Sequence, residues 1–383
     1  MKYNGTTRFL VFFLITSILV VSCGDSHKKT ILVPNGTEIN ISDFDVFIKK
    51  KLSQYEVPGL GIAILNGDQI VYSKTFGVSS LKNQKKVTKE TIFEAASLSK
   101  PLFAYFAMKQ MDKGLIALDT PLYEYVDYQD IQHDERHRKI TARTVLSHTT
   151  GLPNWRSEND TLKFIFPPGD TYAYSGEGFQ YLARALAQVN HVDRDGLFEI
   201  FKQDIAIPLK AERLYYDWNE DIAKHKAWGH KNGKEESNGP SDFRVAEFGS
   251  AHNLHTDIDS YARFIGAMIS GAHISDESYA ELLKKQVVIP EGDYEKAVLG
   301  NTHWGLAFGM KNTPNGWMYS HGGNNGDFTA FTIFYPDAKF GLVLFSNSEK
   351  IMFSNFTNEI ASFLRTDLHM DMKALEKILA KYE

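Results

Sequence analysis

The sequence predicts an α/β protein of the α+β kind, in which an antiparallel sheet is flanked by N- and C-terminal helices and carries an inserted, mainly helical lobe. Two observations carry this expectation. Strand-like runs cluster near both ends of the chain, and the long middle is helix-patterned and loop-rich. At 383 residues and 43% hydrophobic content, the chain is large enough for one large core or for two sub-domains that share a cleft.

The elements follow in order. Asp43, Phe44 and the run after them place Phe44, Phe47, Ile48 and Leu52 on one face of a helix that starts near Ser42. Pro58-Gly59 ends that helix. Leu60 to Leu65 and Gln69 to Phe76 are β-rich and flank Asn66-Gly67, a strong hairpin signal. Further strands are expected in HWGLAFGM, GWMYSHGG, FTAFTIFYP and FGLVLFSNS, with a closing helix from Phe353 to Arg365. Periodic apolar segments at Leu102 to Met111, Phe179 to Val189 and Ile258 to Ile269 make up the middle. The α/β part is thus expected at about 42–90 and 295–366, the helical lobe at about 91–294, and a helical extension at 367–383.

The N-terminus is compositionally separate. Lys2 and Arg8 precede an apolar run from Phe9 to Val21, the layout of a secretory signal peptide, and the run is too short to span a bilayer. Cys23 is the only cysteine, directly after Val20-Val21-Ser22. This stretch resembles a bacterial lipobox, which implies a signal peptide at 1–22, lipidation of Cys23, a polar tether at 23–41 and a place in the bacterial cell envelope, periplasmic or surface-exposed. With Cys23 lipidated no thiol remains for disulfides or thiolate catalysis. A formal net charge of -5 and the lack of any dense Lys/Arg stripe argue against nucleic acid as a partner. No cofactor motif is read. His133 and His137 have metal-ligand spacing but lie in a highly charged, turn-like stretch, so no metal is expected.

Three segments carry chemistry. Ser97-Leu98-Ser99-Lys100 stands where a polar segment gives way to a long helix, so the Ser97 hydroxyl would meet free N–H groups and Lys100 would share its face. A partly desolvated lysine there can accept a proton near neutral pH. The same spacing recurs at Ser26/Lys29 and Ser79/Lys82, and only the helix context favours Ser97. Tyr174-Ser175-Gly176 lies on a Gly-rich loop before the helix near Phe179 and could aim a phenol into a cleft. His321-Gly322-Gly323 ends a strand, where consecutive glycines let backbone approach a substrate.

Taken together, S-x-x-K, then Tyr174-Ser175-Gly176, then His321-Gly322-Gly323 resemble the serine beta-lactamase and penicillin-binding-protein family. VPGLGIAI, TARTVLSHTTGLP, PPGDTYAYS and the closing WGLAFGM…SHGGNNG…FSN series are similar to its class C beta-lactamase, DD-peptidase, D-aminopeptidase and esterase branch. The resemblance covers roughly Ser42 to Arg365 and implies a beta-lactamase/transpeptidase-like fold. It implies Ser97 as nucleophile, Lys100 as neighbouring base, Tyr174 as general acid and base, and His321 as support for substrate and tyrosine. It also implies an oxyanion hole from the N–H groups of Ser97 and Asn324, and substrate contacts at Gly176, Gly322 and Gly323. His148 is expected to shape a loop. The family's asparagine is Gly176 here, and its third-motif lysine is His321, so no permanent cation awaits a substrate carboxylate. The expected function is a lipid-anchored serine hydrolase acting through an acyl-enzyme on a small amide, D-amino-acid peptide or ester, with the cell wall as one source of substrate. The alternatives are a true beta-lactamase and a non-catalytic protein that binds cell-wall peptides or a partner.

Overall fold

The computed structural model describes residues 1–2, 30–156, 161–236, 238–239 and 248–381. The expected signal peptide, Cys23 and the first part of the tether lie outside the described residues. The remainder of that tether is structured: Thr30–Leu32 and Glu38–Asn40 form a small antiparallel hairpin. Ile31 and Val33 are buried in the core, because Asn35-Gly36 turns an apolar triplet back on itself. The helix that follows runs Ile41–Gln54, capped by the Asn40 side chain, which accepts from the Ser42 N–H.

A nine-stranded sheet is the spine of the molecule, and its order joins the two ends of the chain. Gly59–Asn66 lies between its hairpin partner Gln69–Ser80 and the late strand Phe340–Ser346, paired from Phe340↔Asn66 to Ser346↔Leu60. Outward from there come Thr329–Tyr335, Gly316–Asn324 and Gly309–Thr313, each antiparallel to the next. Alternate side chains go to opposite faces, and both faces are covered. Leu60, Ile62, Ile64, Leu342 and Leu344 pack on one side with Phe44 and Ile48 of the first helix and Phe356 and Ile360 of the closing helix. Ala63, Leu65, Val343 and Phe345 pack on the other with Ile258, Tyr261 and Ile265. Burial on both faces makes these strands near-continuous apolar runs.

The helix Ile258–Ser270 therefore lies directly on the sheet, although the sequence pattern groups it with the inserted lobe. The lobe also holds a small sheet, ordered Phe93–Ala96, Leu254–Thr256, Leu214–Tyr215. Its short strands escape periodicity, which needs more than three or four residues to register. The helix Ser99–Asp112 begins straight after Phe93–Ala96 and is buried on nearly every side. The closing helix runs Phe356–Phe363, and a further helix, Met372–Leu379, packs against the short helix Tyr294–Ala297.

Candidate active site

Ser97 occupies the turn between Phe93–Ala96 and the helix Ser99–Asp112. The turn is sharp: Ala96 takes a left-handed φ of 49°, a conformation that costs a residue with a Cβ and survives only when its surroundings hold it. Those surroundings are a set of buried hydrogen bonds. The Ser99 hydroxyl donates to the Ala96 carbonyl at 2.6 Å and accepts from the Leu254 N–H at 2.9 Å. The Tyr216 hydroxyl donates to the Ser99 carbonyl and the Tyr261 hydroxyl to the Leu98 carbonyl. Three separate elements thus fix the residues on either side of Ser97.

At the second residue of that helix, Lys100 Nζ lies 3.3 Å from Ser97 Oγ and donates to the Ala251 carbonyl at 2.8 Å. Lys100 is fully buried, and burial pulls its ammonium down to about 7. Near neutrality a large share is therefore free amine, with one N–H on Ala251 and a lone pair available to the serine. The Tyr174 ring stands 4.6 Å from the same Nζ, and its phenol hydrogen-bonds Ser97. Burial pushes that phenol above its ordinary value despite the bond to Ser97, so Tyr174 rests as a neutral acid. The Ser79/Lys82 pair forms no such site. Ser79 donates to the Lys85 carbonyl while Lys82 is exposed, and Ser26/Lys29 lies outside the described residues.

The loop that carries Tyr174 is braced from behind by His148. His148 adopts φ 55°, accepts the Ser175 N–H on Nδ1 at 3.0 Å and stacks on the Tyr174 ring at 4.2 Å. The helix after this loop starts at Gly176, earlier than the pattern predicts, with Ser175 as its N-cap. Gly176 is not among the residues that line the cavity at Ser97. A Cβ there would come within 2.7 Å of the Trp155 ring and 2.9 Å of the Asn154 carbonyl, so the indole covers the place where the family's asparagine side chain would project. The Arg156–Glu177 ion pair, at 2.7 Å, ties the Trp155 loop to that helix.

His321 sits on Gly316–Asn324 and completes the cluster, its ring centroid 6.1 Å from that of Tyr174. Its Nδ1 contacts the Gly322 carbonyl at 2.7 Å and therefore carries the proton, which leaves Nε2 as a buried acceptor without a hydrogen-bond partner among the described residues. Burial, reinforced by Lys100, lowers the imidazole to about 3. His321 is neutral at physiological pH.

The strand Gly309–Thr313 pairs with this strand only as far as Ser320, so 321–324 present their outer edge to Ser97. Asn325 donates its N–H to the Phe328 carbonyl, and the alternation of an antiparallel ladder then turns the Asn324 N–H away from that neighbour, toward the cleft. Gly323 makes the approach possible: a Cβ there would lie 2.4 Å from the Ala95 carbonyl and 3.2 Å from Ser97 N. Glu94 locks the two segments together, paired to Lys226 at 3.0 Å with both side chains fully buried and accepting from Asn325 Nδ2 at 2.7 Å.

A cavity of about 270 Å³ opens at Ser97, Tyr174, His321, Gly322 and Asn324. Larger hollows exist, such as one of about 660 Å³ between the ends of Ser99–Asp112 and Asp276–Leu283, but the Ser–Lys–Tyr cluster does not border it. The site cavity also contains Glu295, which sequence reasoning missed. Its carboxyl is buried, hydrogen-bonded by Asn301 at 2.7 Å and raised to about 8 by burial. His137, weighed as a metal ligand, spends Nδ1 on the carbonyl of Asp134 in its own turn.

The beta-lactamase family model matches residues 44–364. This chain belongs to the beta-lactamase family. Homologues in this family are serine hydrolases. Among its relatives, Protein flp of Staphylococcus aureus (strain MRSA252) is 19% identical over 88% of this chain and 69% of its own length. A beta-lactamase of Escherichia coli (strain K12) is 22% identical over 77% of this chain and 85% of its own. Two solved structures share the beta-lactamase-family fold. The octameric penicillin-binding protein homologue from Pyrococcus abyssi has a TM-score of 0.72 at 21% identity and covers 86% of this chain and 78% of its own. The D-alanine carboxypeptidase AmpC from Burkholderia cenocepacia has 0.68 at 18% identity, with 85% and 99% covered.

Proposed function

We propose that this family member is a serine hydrolase that works through an acyl-enzyme on Ser97, with a small amide, D-amino-acid peptide or ester as substrate. The observation that supports it most is the buried amine of Lys100 at 3.3 Å from Ser97 Oγ, lowered to about 7 where an exposed lysine would stay protonated. Lys100 takes the proton as Ser97 Oγ bonds to the substrate's carbonyl carbon. The negative charge that builds on the carbonyl oxygen is met by the N–H groups of Ser97 and Asn324. As the C–O or C–N bond breaks, Tyr174 gives its proton to the departing oxygen or nitrogen and recovers one from Lys100. Water then attacks the acyl-enzyme by the same route in reverse and restores Ser97. His321 contributes an acceptor and a wall, not a cation. Lipid anchoring through Cys23 at the cell envelope completes the proposal.

The test is intact-mass spectrometry of the protein after incubation with a penicillin, a D-alanyl-D-alanine peptide, a D-amino-acid amide and an aryl ester. An adduct on Ser97 that forms and clears supports the hydrolase and names the bond it cleaves. No adduct from any of them, nor from a fluorophosphonate, in folded protein would sink the enzyme reading in favour of a binding protein.

A further inference from the structure

The cavity at Ser97 has a second half that the catalytic cluster does not use. Beyond Tyr174 and His321 its wall is Tyr294, Met352, Phe353, Leu375, Ile378 and Leu379. Three of these come from the helix Met372–Leu379, which lies past residue 364, where the match to the family ends. Leu375, Ile378 and Leu379 have the spacing of one helical face. Leu375 packs into the core, Ile378 is half-buried, and Leu379 is 40% exposed at the cavity's edge. The helix is pinned rather than loosely appended. Asp371 donates its N–H to the Val298 carbonyl and caps the helix through Lys373 N and Ala374 N, and Asn358 brackets Met370.

We propose, building on the hydrolase reading, that this helix forms the leaving-group pocket and selects substrates whose departing group is uncharged and apolar, such as an aryl or alkyl alcohol of an ester. The side follows from the chemistry: the group that leaves must pass the phenol that reprotonates it, and Tyr174 lines the same cavity as Leu375, Ile378 and Leu379. The charge follows from the lining. His321 offers a lone pair and no proton, so a carboxylate there would face an acceptor. Glu295 on the same wall, held largely protonated below about pH 8 by burial, supplies no cation for a carboxylate to pair with. The remaining lining is hydrocarbon, aromatic rings and a thioether, which stabilise apolar groups by removing them from water.

The experiment compares two substrates with the same acetyl group, 4-methylphenyl acetate and 4-acetoxybenzoate, at pH 7, with binding of the released p-cresol and 4-hydroxybenzoate read by calorimetry. The neutral ester should have at least tenfold higher kcat/KM even though 4-hydroxybenzoate is chemically the better leaving group. p-Cresol should bind at least tenfold more tightly than 4-hydroxybenzoate. Ile378→Ser and Leu379→Ser, at the less buried end of that face, should each cut 4-methylphenyl acetate turnover about fivefold to tenfold while methyl acetate, too small to reach them, stays within twofold. Equal handling of the two aryl esters with equal phenol binding overturns the pocket. So does insensitivity of the phenol preference to both variants. Fluorophosphonate labelling of Ser97 separates the two claims: labelling without a preference removes only the pocket, whereas a phenol preference without labelling removes the hydrolase and with it the catalytic meaning of the pocket.

Discussion

The indole of Trp155 stands where a side chain on residue 176 would have to go: a Cβ added to Gly176 would lie 2.7 Å from its ring. The glycine in the second motif is thus the counterpart of a tryptophan on the neighbouring loop. The indole is also 6.0 Å from Lys100 Nζ, so it helps keep water from the base. Restoring the family's asparagine by Gly176→Asn should lower kcat/KM at least tenfold and reduce thermal stability, because the neighbours must shift. Trp155→Ala in the same chain should recover stability beyond the sum of the single effects. Additive changes in Tm would show that the two positions are not coupled.

Ser97→Ala should abolish turnover and leave the circular dichroism spectrum and Tm close to wild type, since the bonds that hold its turn belong to Ser99, Tyr216 and Tyr261. Residual activity near wild type would place the nucleophile elsewhere.

Lys100→Ala and Tyr174→Phe should each cost at least a hundredfold in kcat, roughly the scale of one positioned acid–base group. Single-turnover kinetics should show the loss in acylation. A loss of only a fewfold would point to another base.

Activity should rise with pH through about 7, because Lys100 accepts a proton only once it has lost its own. It should fall above about 8, as Glu295 loses its proton and sets a negative charge beside the site where an oxyanion must form. Glu295→Gln, which mimics the protonated acid, should keep the rising limb and lose the falling one. A kcat/KM profile with both limbs unchanged in that variant would acquit Glu295.

Removing one partner of the buried Glu94–Lys226 pair should cost about 3–5 kcal/mol, because it strands a charge away from water. Glu94→Ala should also loosen Asn325 and lower kcat, since Asn325 neighbours an oxyanion donor. Denaturant unfolding together with kinetics measures both effects, and near-wild-type values in each would contradict this assignment.

The sheet was readable in the sequence because alternation and Asn66-Gly67 act locally. The cluster of Ser97, Lys100, Tyr174 and His321 was reachable because each lies in a short motif of defined spacing. What escaped had no local signature. Glu295 is one acid among many until Asn301 and burial single it out. Trp155 matters through contacts with residue 176 and Lys100 that only the fold brings about. Ile31 and Val33 were assigned to a tether because their apolar triplet is short and its partner strand, Glu38–Asn40, is mostly polar. The closing face of Leu375, Ile378 and Leu379 has a legible period, but its target is invisible without the fold.

The central strand Gly59–Asn66 is made early and its neighbour Phe340–Ser346 is made almost last. Until that late segment arrives, the early hairpin has one open edge, and the strand Gly316–Asn324 that borders the Ser97 cavity is not joined to it through the sheet. Such distant pairings make folding slow. A chain truncated anywhere before its last strands would be inert, so measured turnover would count only fully finished molecules.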